Sequence, residues 1–467
     1  MNKAKLNYVG CSTPKVDAVD KVLGRAVYAE DIRFPDMLYG RVRWADIPHG
    51  IIEEIDVSVA KAMAGVFCVL TAKDVPGNNR FGIAFPDQWA LAEEKVLSIG
   101  DVIAIVAAET DEIAKEAVKA IRVNYRELPV LSNLHEALAD DAPQLHVSKI
   151  SSYKKKSGDH YYPLGDGGPQ YDKVKRKAEF LHNLKSNVFL HTKVRKGDIE
   201  QGFEQAGVIV ENTYKTHVVD HVYLETESGV GKIDKHGNLV IWNSCQYPFR
   251  DRRQVASVLG IPQNKVRVIR ATTGGAFGGK EDVNVEIHIG LLVHATRRPV
   301  RMVWDREESM SYSTKRHAFE IWTRWGATAE GKLCAMEGKV YGDTGAYAGL
   351  GIFAIKKCGI HLAGPYHIPH IKVDVCSVYT NNIIASAMRG FGVPQAAIAH
   401  EGQMDELARR LDINPLTFRL MNALDVGLST ETGHVMTQEV GIKATLEKLK
   451  AVVLKDPSLS SYWEDLR

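Results

Sequence analysis

Residues Thr272 to Asp282 read Thr-Thr-Gly-Gly-Ala-Phe-Gly-Gly-Lys-Glu-Asp. Four glycines around one phenylalanine let the backbone approach something bulky and polar, and a carboxylate, Glu281, stands just beyond. Gly274, four residues, Gly279 and Lys280 have the outline of a phosphate-binding loop. In such a loop the next residue is Ser or Thr, whose hydroxyl holds magnesium. Here it is Glu281, whose charge beside a triphosphate would be repelled. That residue turns the reading from nucleotide hydrolysis towards another cofactor chemistry.

Three further patterns carry chemical side chains: His221-Val-Tyr-Leu-Glu225-Thr, Ser244-Cys-Gln246-Tyr-Pro248, and Ala387-Met388-Arg389-Gly390-Phe391-Gly392-Val393-Pro394-Gln395. In the last, two glycines flank an aromatic ring, an arginine precedes them, and a helix start follows at Pro394. Backbone N–H groups at a helix start, a guanidinium and an aromatic face together suit a flat, anionic, heteroaromatic ligand. Taken singly these signals are ordinary. A Gly-Phe-Gly turn is most commonly a tight turn, a lone arginine an ion-pair partner, and a lone glutamine a surface amide. Two glycine–aromatic loops in one chain, both ahead of helices, make a site the stronger reading.

The elements that must position these residues are legible in part. Strand-like runs fall at Leu38–Arg43, Val66–Leu70 and Val102–Ala108, with a helix over Asp111–Val123 that puts Ile113, Ala117 and Ile121 on one face and takes Asp111 as its start. No dinucleotide fingerprint follows the strand at 102–108. Further strands are expected at Gly207–Glu211, Val230–Ile233, Leu239–Asn243, Val266–Arg270 and Arg301–Trp304. One helix carries Val285, Ile289 and Leu292, a second spans about 394–411, and another follows Pro415. The chain divides into a mixed unit at 15–148, a basic, Gly- and Ser-rich linker or insertion at 149–197, and a larger unit at 198–467; the fold class is α+β.

The 467 residues carry a net charge of +2, with 45% apolar and 25% charged side chains, so nothing in the overall balance points to nucleic acid. With no signal-peptide pattern and no apolar run that could span a bilayer, a cytoplasmic protein without a membrane partner is expected. The six cysteines, Cys11, Cys68, Cys245, Cys334, Cys358 and Cys376, are scattered and fit neither a zinc ribbon, a ferredoxin-type cluster nor a disulfide framework. Any iron–sulfur clusters used with this chain must sit on another.

The order Gln246, Gly-Gly-Ala-Phe-Gly-Gly-Lys-Glu281, then Arg-Gly-Phe-Gly-Val-Pro-Gln resembles the molybdenum-binding part of the xanthine dehydrogenase and aldehyde oxidoreductase family. The likeness covers nearly the whole chain. It implies an N-terminal α/β hammerhead domain at 15–148 and the first of two molybdenum-cofactor-binding domains at 198–467. It also implies hydroxylation of an electron-poor carbon, with water-derived oxygen, at a molybdenum held by molybdopterin, in the cytosine dinucleotide form. Gln246, Gly275, Phe277, Gly278, Gly279, Met388 and Arg389 would contact the cofactor, with Gln246, Phe277 and Arg389 forming the molybdenum environment. Phe391 would stack on the substrate ring. Glu281, Lys357 and Arg389 would be catalytic, Glu281 and Lys357 also binding substrate.

Glu281 and the His221–Thr226 pattern match the purine-hydroxylating members, so xanthine or a related purine is the expected substrate and nicotinate the first alternative. Lys357 stands near where those members carry an arginine; lysine supplies the charge without the bidentate fork. The chain also resembles split, nicotinate-dehydrogenase-like members, in which the molybdopterin-binding part is divided between a larger and a medium subunit. That implies partners: a second molybdopterin-binding subunit, which would carry the general base, an iron–sulfur subunit and an FAD subunit. Glu225 and Glu227 receive no catalytic role. The readings from other classes are a phosphate-loop nucleotide-binding protein and a non-catalytic scaffold.

Overall fold

The computed structural model describes residues 7–83, 85–146, 177–179 and 186–456. Most of the expected basic linker lies outside these residues.

Two large sheets organise the chain. The first has seven strands in the spatial order Val266–Arg270, Leu239–Asn243, Ser228–Ile233, Val300–Val303, Leu38–Trp44, Val102–Ala108 and Val66–Leu70. It draws strands from both sides of the expected linker: Leu38–Trp44 runs parallel to Val300–Val303, with Tyr39 opposite Arg301. Val102–Ala108 reads Val-Ile-Ala-Ile-Val-Ala-Ala and is buried at every position, as befits a strand covered on both faces. On one face lies α1 (Asp111–Ala120), which buries Ala114 and Ala117. On the other, α2 (Pro248–Val258) packs beside α3 (Glu286–Thr296). The sequence of α3, Glu-Ile-His-Ile-Gly-Leu-Leu-Val-His, is apolar around most of its circumference, and its residues 286–293 are all buried.

The second sheet has six strands in the order Val208–Thr216, Phe319–Ala327, Leu333–Asp343, His370–Val378, Val188–Lys196 and Lys177–Glu179. Phe319, Ile321, Thr323 and Trp325 alternate inward along one strand, and α4 (Gly351–Gly359) and α5 (Val393–Arg410) cover that face. The segment expected as linker at 149–197 therefore ends inside this sheet, since Val188–Lys196 pairs along its length with His370–Val378.

The two glycine–aromatic loops leave these sheets from neighbouring ends. One follows Val266–Arg270; the other follows His370–Val378 and feeds α5. At Gly392, with φ of 89°, a Cβ would stand 2.1 Å from the Ala354 carbonyl oxygen on α4, so only glycine lets α5 start that close to its neighbour.

The sequence expectations hold for the strands at 66–70, 102–108, 239–243 and 266–270. The helix expected over 111–123 stops at Ala120, and Arg122–Glu127 turns into a strand paired with Gly50–Asp56. Its cap is Thr110, whose hydroxyl accepts from the Ile113 N–H at 3.2 Å, rather than Asp111. Asp111 instead forms a bidentate pair with Arg41.

Beyond α4, Glu431 is 4% exposed and accepts from the Ala363 N–H at 2.7 Å. Burial pushes its carboxyl up to about 8. A carboxyl raised in the folded state is protonated there while the unfolded chain is already ionised. Stability attributable to it is therefore retained at low pH and lost as pH rises from the unfolded value, near 4.5, towards 8. Glu431→Gln should thus gain stability relative to the wild type between pH 5 and pH 8, by at most roughly 1.4 kcal/mol per pH unit. Urea unfolding at both pH values checks this; a gap independent of pH contradicts it.

Candidate active site

Gln246, Tyr247, Phe277, Gly278, Glu281, Met388, Arg389, Gly390 and Phe391 line one cleft of about 440 Å³. Residues from three separate stretches of sequence thus meet where the two glycine loops touch.

The contact is a backbone one. The Arg389 N–H donates to the Phe277 carbonyl at 2.7 Å. A Cβ on Gly278 would come within 2.6 Å of the Ala387 oxygen, and Gly278 has φ of 108°. Phe277 and Phe391, at the tips, also take left-handed backbone angles, 52° and 53°. Left-handed aromatic residues are strained, and the Phe277 ring is 49% exposed. Gln246 ties the first loop down: its own N–H donates to the Lys280 carbonyl at 2.8 Å, its Oε1 accepts from the Gly278 N–H at 3.1 Å, and its Nε2 reaches Glu281 Oε1 at 3.5 Å.

Below the loop, Lys280 is 1% exposed and turned away from the cleft. Its Nζ donates to the Glu225 carboxylate and carbonyl, both at 2.9 Å, and Glu225 also accepts from the Gly274 N–H at 2.7 Å. This overturns the phosphate-loop reading, because the ammonium that would reach a phosphate is consumed by a buried ion pair. It also gives Glu225 a structural role. Neither Gly275 nor Gly279 lines the cleft: Gly279 is buried against Tyr223 and His221, and Gly275 is half-buried beside Tyr223. Lys357, on α4, stands at the margin with Nζ 6.0 Å from the centre of the Phe391 ring.

Glu281 is half-buried, and its carboxyl is pushed upward by that burial and by Asp282, with Arg250 acting the other way. Among the described residues, no carboxylate pairs with the exposed Arg389 guanidinium. Its carbonyl is held instead by Arg316 Nη2 at 2.7 Å, and Arg316 Nε lies 2.9 Å from the Met388 sulfur. Arg316 and Tyr247 were missed in the sequence. Arg316 stands just before the strand Phe319–Ala327, so nothing local marks it as a loop contact, whereas Tyr247 follows Gln246 directly and adjacency alone could have flagged it.

The donors in the cleft are an amide, backbone N–H groups, a guanidinium and one carboxylate. They could not by themselves hold a metal ion, which wants several Cys, His or carboxylate ligands. They fit a metal that arrives with its own organic ligand, as molybdenum on a pterin does: a cation and N–H donors for its anionic groups, and aromatic rings beside it.

Comparison with known proteins supports that fit. A family model described as the molybdopterin cofactor-binding domain matches residues 181–423. A second, described as the aldehyde oxidase and xanthine dehydrogenase a/b hammerhead domain, matches residues 23–129. The nicotinate dehydrogenase large molybdopterin subunit of Eubacterium barkeri is 40% identical over 442 residues, which are 95% of this chain and 95% of that one. A probable xanthine dehydrogenase subunit of Bacillus subtilis (strain 168) is 38% identical over 411 residues, 88% of this chain and 50% of that protein. The solved aldehyde oxidoreductase of Desulfovibrio gigas superposes with a TM-score of 0.83 at 27% identity, over 95% of this chain and 46% of that one. The chain thus spans nearly all of the first relative and about half of the other two. Among the described residues no helix is long and apolar enough to cross a membrane.

Removing one partner of a buried ion pair leaves an uncompensated charge. Glu225→Ala should therefore destabilise the chain by about 3–5 kcal/mol, measured by urea unfolding. The double change Glu225→Leu with Lys280→Met should recover most of that loss. A neutral Glu225→Ala would show that the pair does not hold the loop.

Proposed function

This chain belongs to the molybdenum hydroxylases of the xanthine dehydrogenase and aldehyde oxidoreductase type, and from that premise we propose that it is the larger molybdopterin-binding subunit of a multi-subunit enzyme that hydroxylates an N-heteroaromatic ring, a purine first. The observation that carries the proposal is Glu281. It is a half-buried carboxyl that shares a cleft with Phe277 and Phe391 and lies 3.5 Å from the Gln246 amide nitrogen.

The bound cofactor, in the cytosine dinucleotide form, would supply the oxygen transfer to carbon and accept the electron pair. This chain's residues would do the rest. Gln246 and the backbone of Phe277 and Gly278 would seat the molybdenum end. The Arg389 guanidinium, free of any carboxylate among the described residues, would meet the group's anionic part. Phe391 and Phe277 would sandwich or flank the ring and exclude water. Glu281 would hydrogen-bond a ring nitrogen as charge develops on it, and the upward push on its carboxyl favours the protonated form that could donate that bond. Lys357, at the margin, would add positive charge on the side of Phe391.

Likeness to the Eubacterium barkeri protein over nearly its whole length supports a second molybdopterin-binding chain that completes the cleft and carries the base. Iron–sulfur and FAD subunits would conduct the electrons away. The same likeness favours nicotinate as the second reading. A carboxylate substrate beside Glu281 requires that Glu281 be protonated, and its burial acts in that direction.

The test is the complex purified with this chain. About one molybdenum per copy is expected, together with turnover of xanthine or hypoxanthine. Glu281→Ala should lower that turnover by roughly 10²-fold, the size of one lost transition-state hydrogen bond. Turnover of nicotinate with none of purines overturns the purine reading and keeps the hydroxylase. A complex without molybdenum overturns both. Arg389→Ala should lose bound molybdenum; a fully loaded, active variant contradicts its assignment.

A further inference from the structure

Directly behind Gln246 lies a cluster that the proposed reaction does not use. Cys245, Asp251 and Glu286 bring one ligand atom each to within 4.8 Å of one another. They come from three elements: Cys245 follows the strand Leu239–Asn243, Asp251 is in the first turn of α2, and Glu286 opens α3. The three are 2%, 1% and 2% exposed.

The hydrogen bonding around them is short of donors. Glu286 is satisfied, accepting from Asn243 Nδ2 and from the Asn284 N–H. Asp251 is not: neither of its carboxylate oxygens has an N–H or O–H partner, and the Cys245 thiol that faces it is a weak donor. The Asn243 Oδ1 is without a partner as well. Lys280, a buried ammonium whose charge acts on Glu286, is already bonded to Glu225. Acceptors facing one another with only a thiol among them are expensive to bury. A bound cation would relieve the imbalance, because Cys245, Asp251 and Glu286 can each offer it one ligand atom.

We propose that Cys245, Asp251 and Glu286 form a site for one divalent cation of zinc-like softness. A thiolate with two carboxylates selects zinc over magnesium or calcium, which prefer all-oxygen shells. Their mutual spacing suits ligand atoms sharing one tetrahedral ion. The three negative charges are largely offset by the ion, and the thiol binds it as a thiolate. The ion clips the Cys245–Gln246 step to the first turns of α2 and α3. It is a positioning element for Gln246, not a participant in the reaction, and it stands whether or not the hydroxylase reading does.

The test is elemental analysis of the intact complex, as isolated and after incubation with zinc chloride followed by desalting, with zinc K-edge absorption on the same sample. One zinc per copy of this chain is expected, in a shell with one sulfur at ~2.3 Å and oxygens at ~2.0–2.2 Å. Asp251→Asn and Cys245→Ser should each lower retained zinc at least tenfold. No stoichiometric zinc under either condition overturns the proposal, as does zinc retained in both variants. Should neither variant assemble, the wild-type absorption spectrum decides alone: a shell without sulfur overturns the site.

Discussion

The cleft depends on one backbone contact, the Arg389 N–H on the Phe277 carbonyl across the face of Gly278. It joins two loops that leave different sheets, so that Gln246 and Glu281 share one cleft with Arg389 and Phe391. The contact is possible because position 278 has no side chain: any Cβ would meet the Ala387 oxygen at 2.6 Å. Ala387 is fixed from the other side, where the His221 Nε2 donates to the same carbonyl at 2.8 Å. A glycine, a histidine and an alanine carbonyl thus set the distance between the two halves of the site.

The charges beneath this contact are arranged to hold shape. Lys280 faces Glu225 and lies 4.7 Å from the centre of the Tyr223 ring, while Tyr223 donates to Glu227. Asp282, pushed up to about 6 by burial, accepts from the Ser386 hydroxyl on the opposite loop. That bond ties the second loop to the first a second time, one residue beyond Glu281. The result is a layered site, with buried polar bonds below and, above them, a surface of backbone, aromatic rings and one carboxyl. Buried polar groups satisfied in this way fix a unique geometry more than they add net stability.

What could be read from the sequence follows from how local each signal is. Val102–Ala108 announces itself by an uninterrupted apolar run, and Val266–Arg270 by its β-branched Val-Arg-Val-Ile core. The loops announce themselves by glycine, since the conformation at Gly278 and the close approach at Gly392 admit little else. The meeting of Gln246, Phe277, Glu281, Met388, Arg389 and Phe391 in one cleft was legible only through the combined motif, because no single stretch encodes the approach of two loops more than a hundred residues apart. The shared sheet was not legible. The pairing of Leu38–Trp44 with Val300–Val303 is a contact between distant segments whose local patterns say only that each is a strand. The helices α2 and α4 were missed for a related reason. The first carries a run of charged residues from Arg250 to Arg253, the second is rich in glycine and lysine, and both are held by the sheets they cover rather than by propensity.

The Gly-x-x-x-x-Gly-Lys outline shows why a pattern of glycines specifies backbone and not chemistry. The glycines grant a tight turn whose side-chain directions are decided by what lies underneath. At Gly279 a Cβ would stand 2.7 Å from the Tyr223 ring and 2.9 Å from His221. The loop is therefore pressed flat against those two side chains, and the next residue has its path inward open. Lys280 follows that path to Glu225, and Glu281, one residue further on, is left at the surface of the cleft. In a phosphate loop the lysine is the residue left facing the ligand. Here the packing of one glycine on a tyrosine and a histidine exchanges the two, hiding the cation and presenting the carboxyl, so the loop has no lysine to offer a polyphosphate.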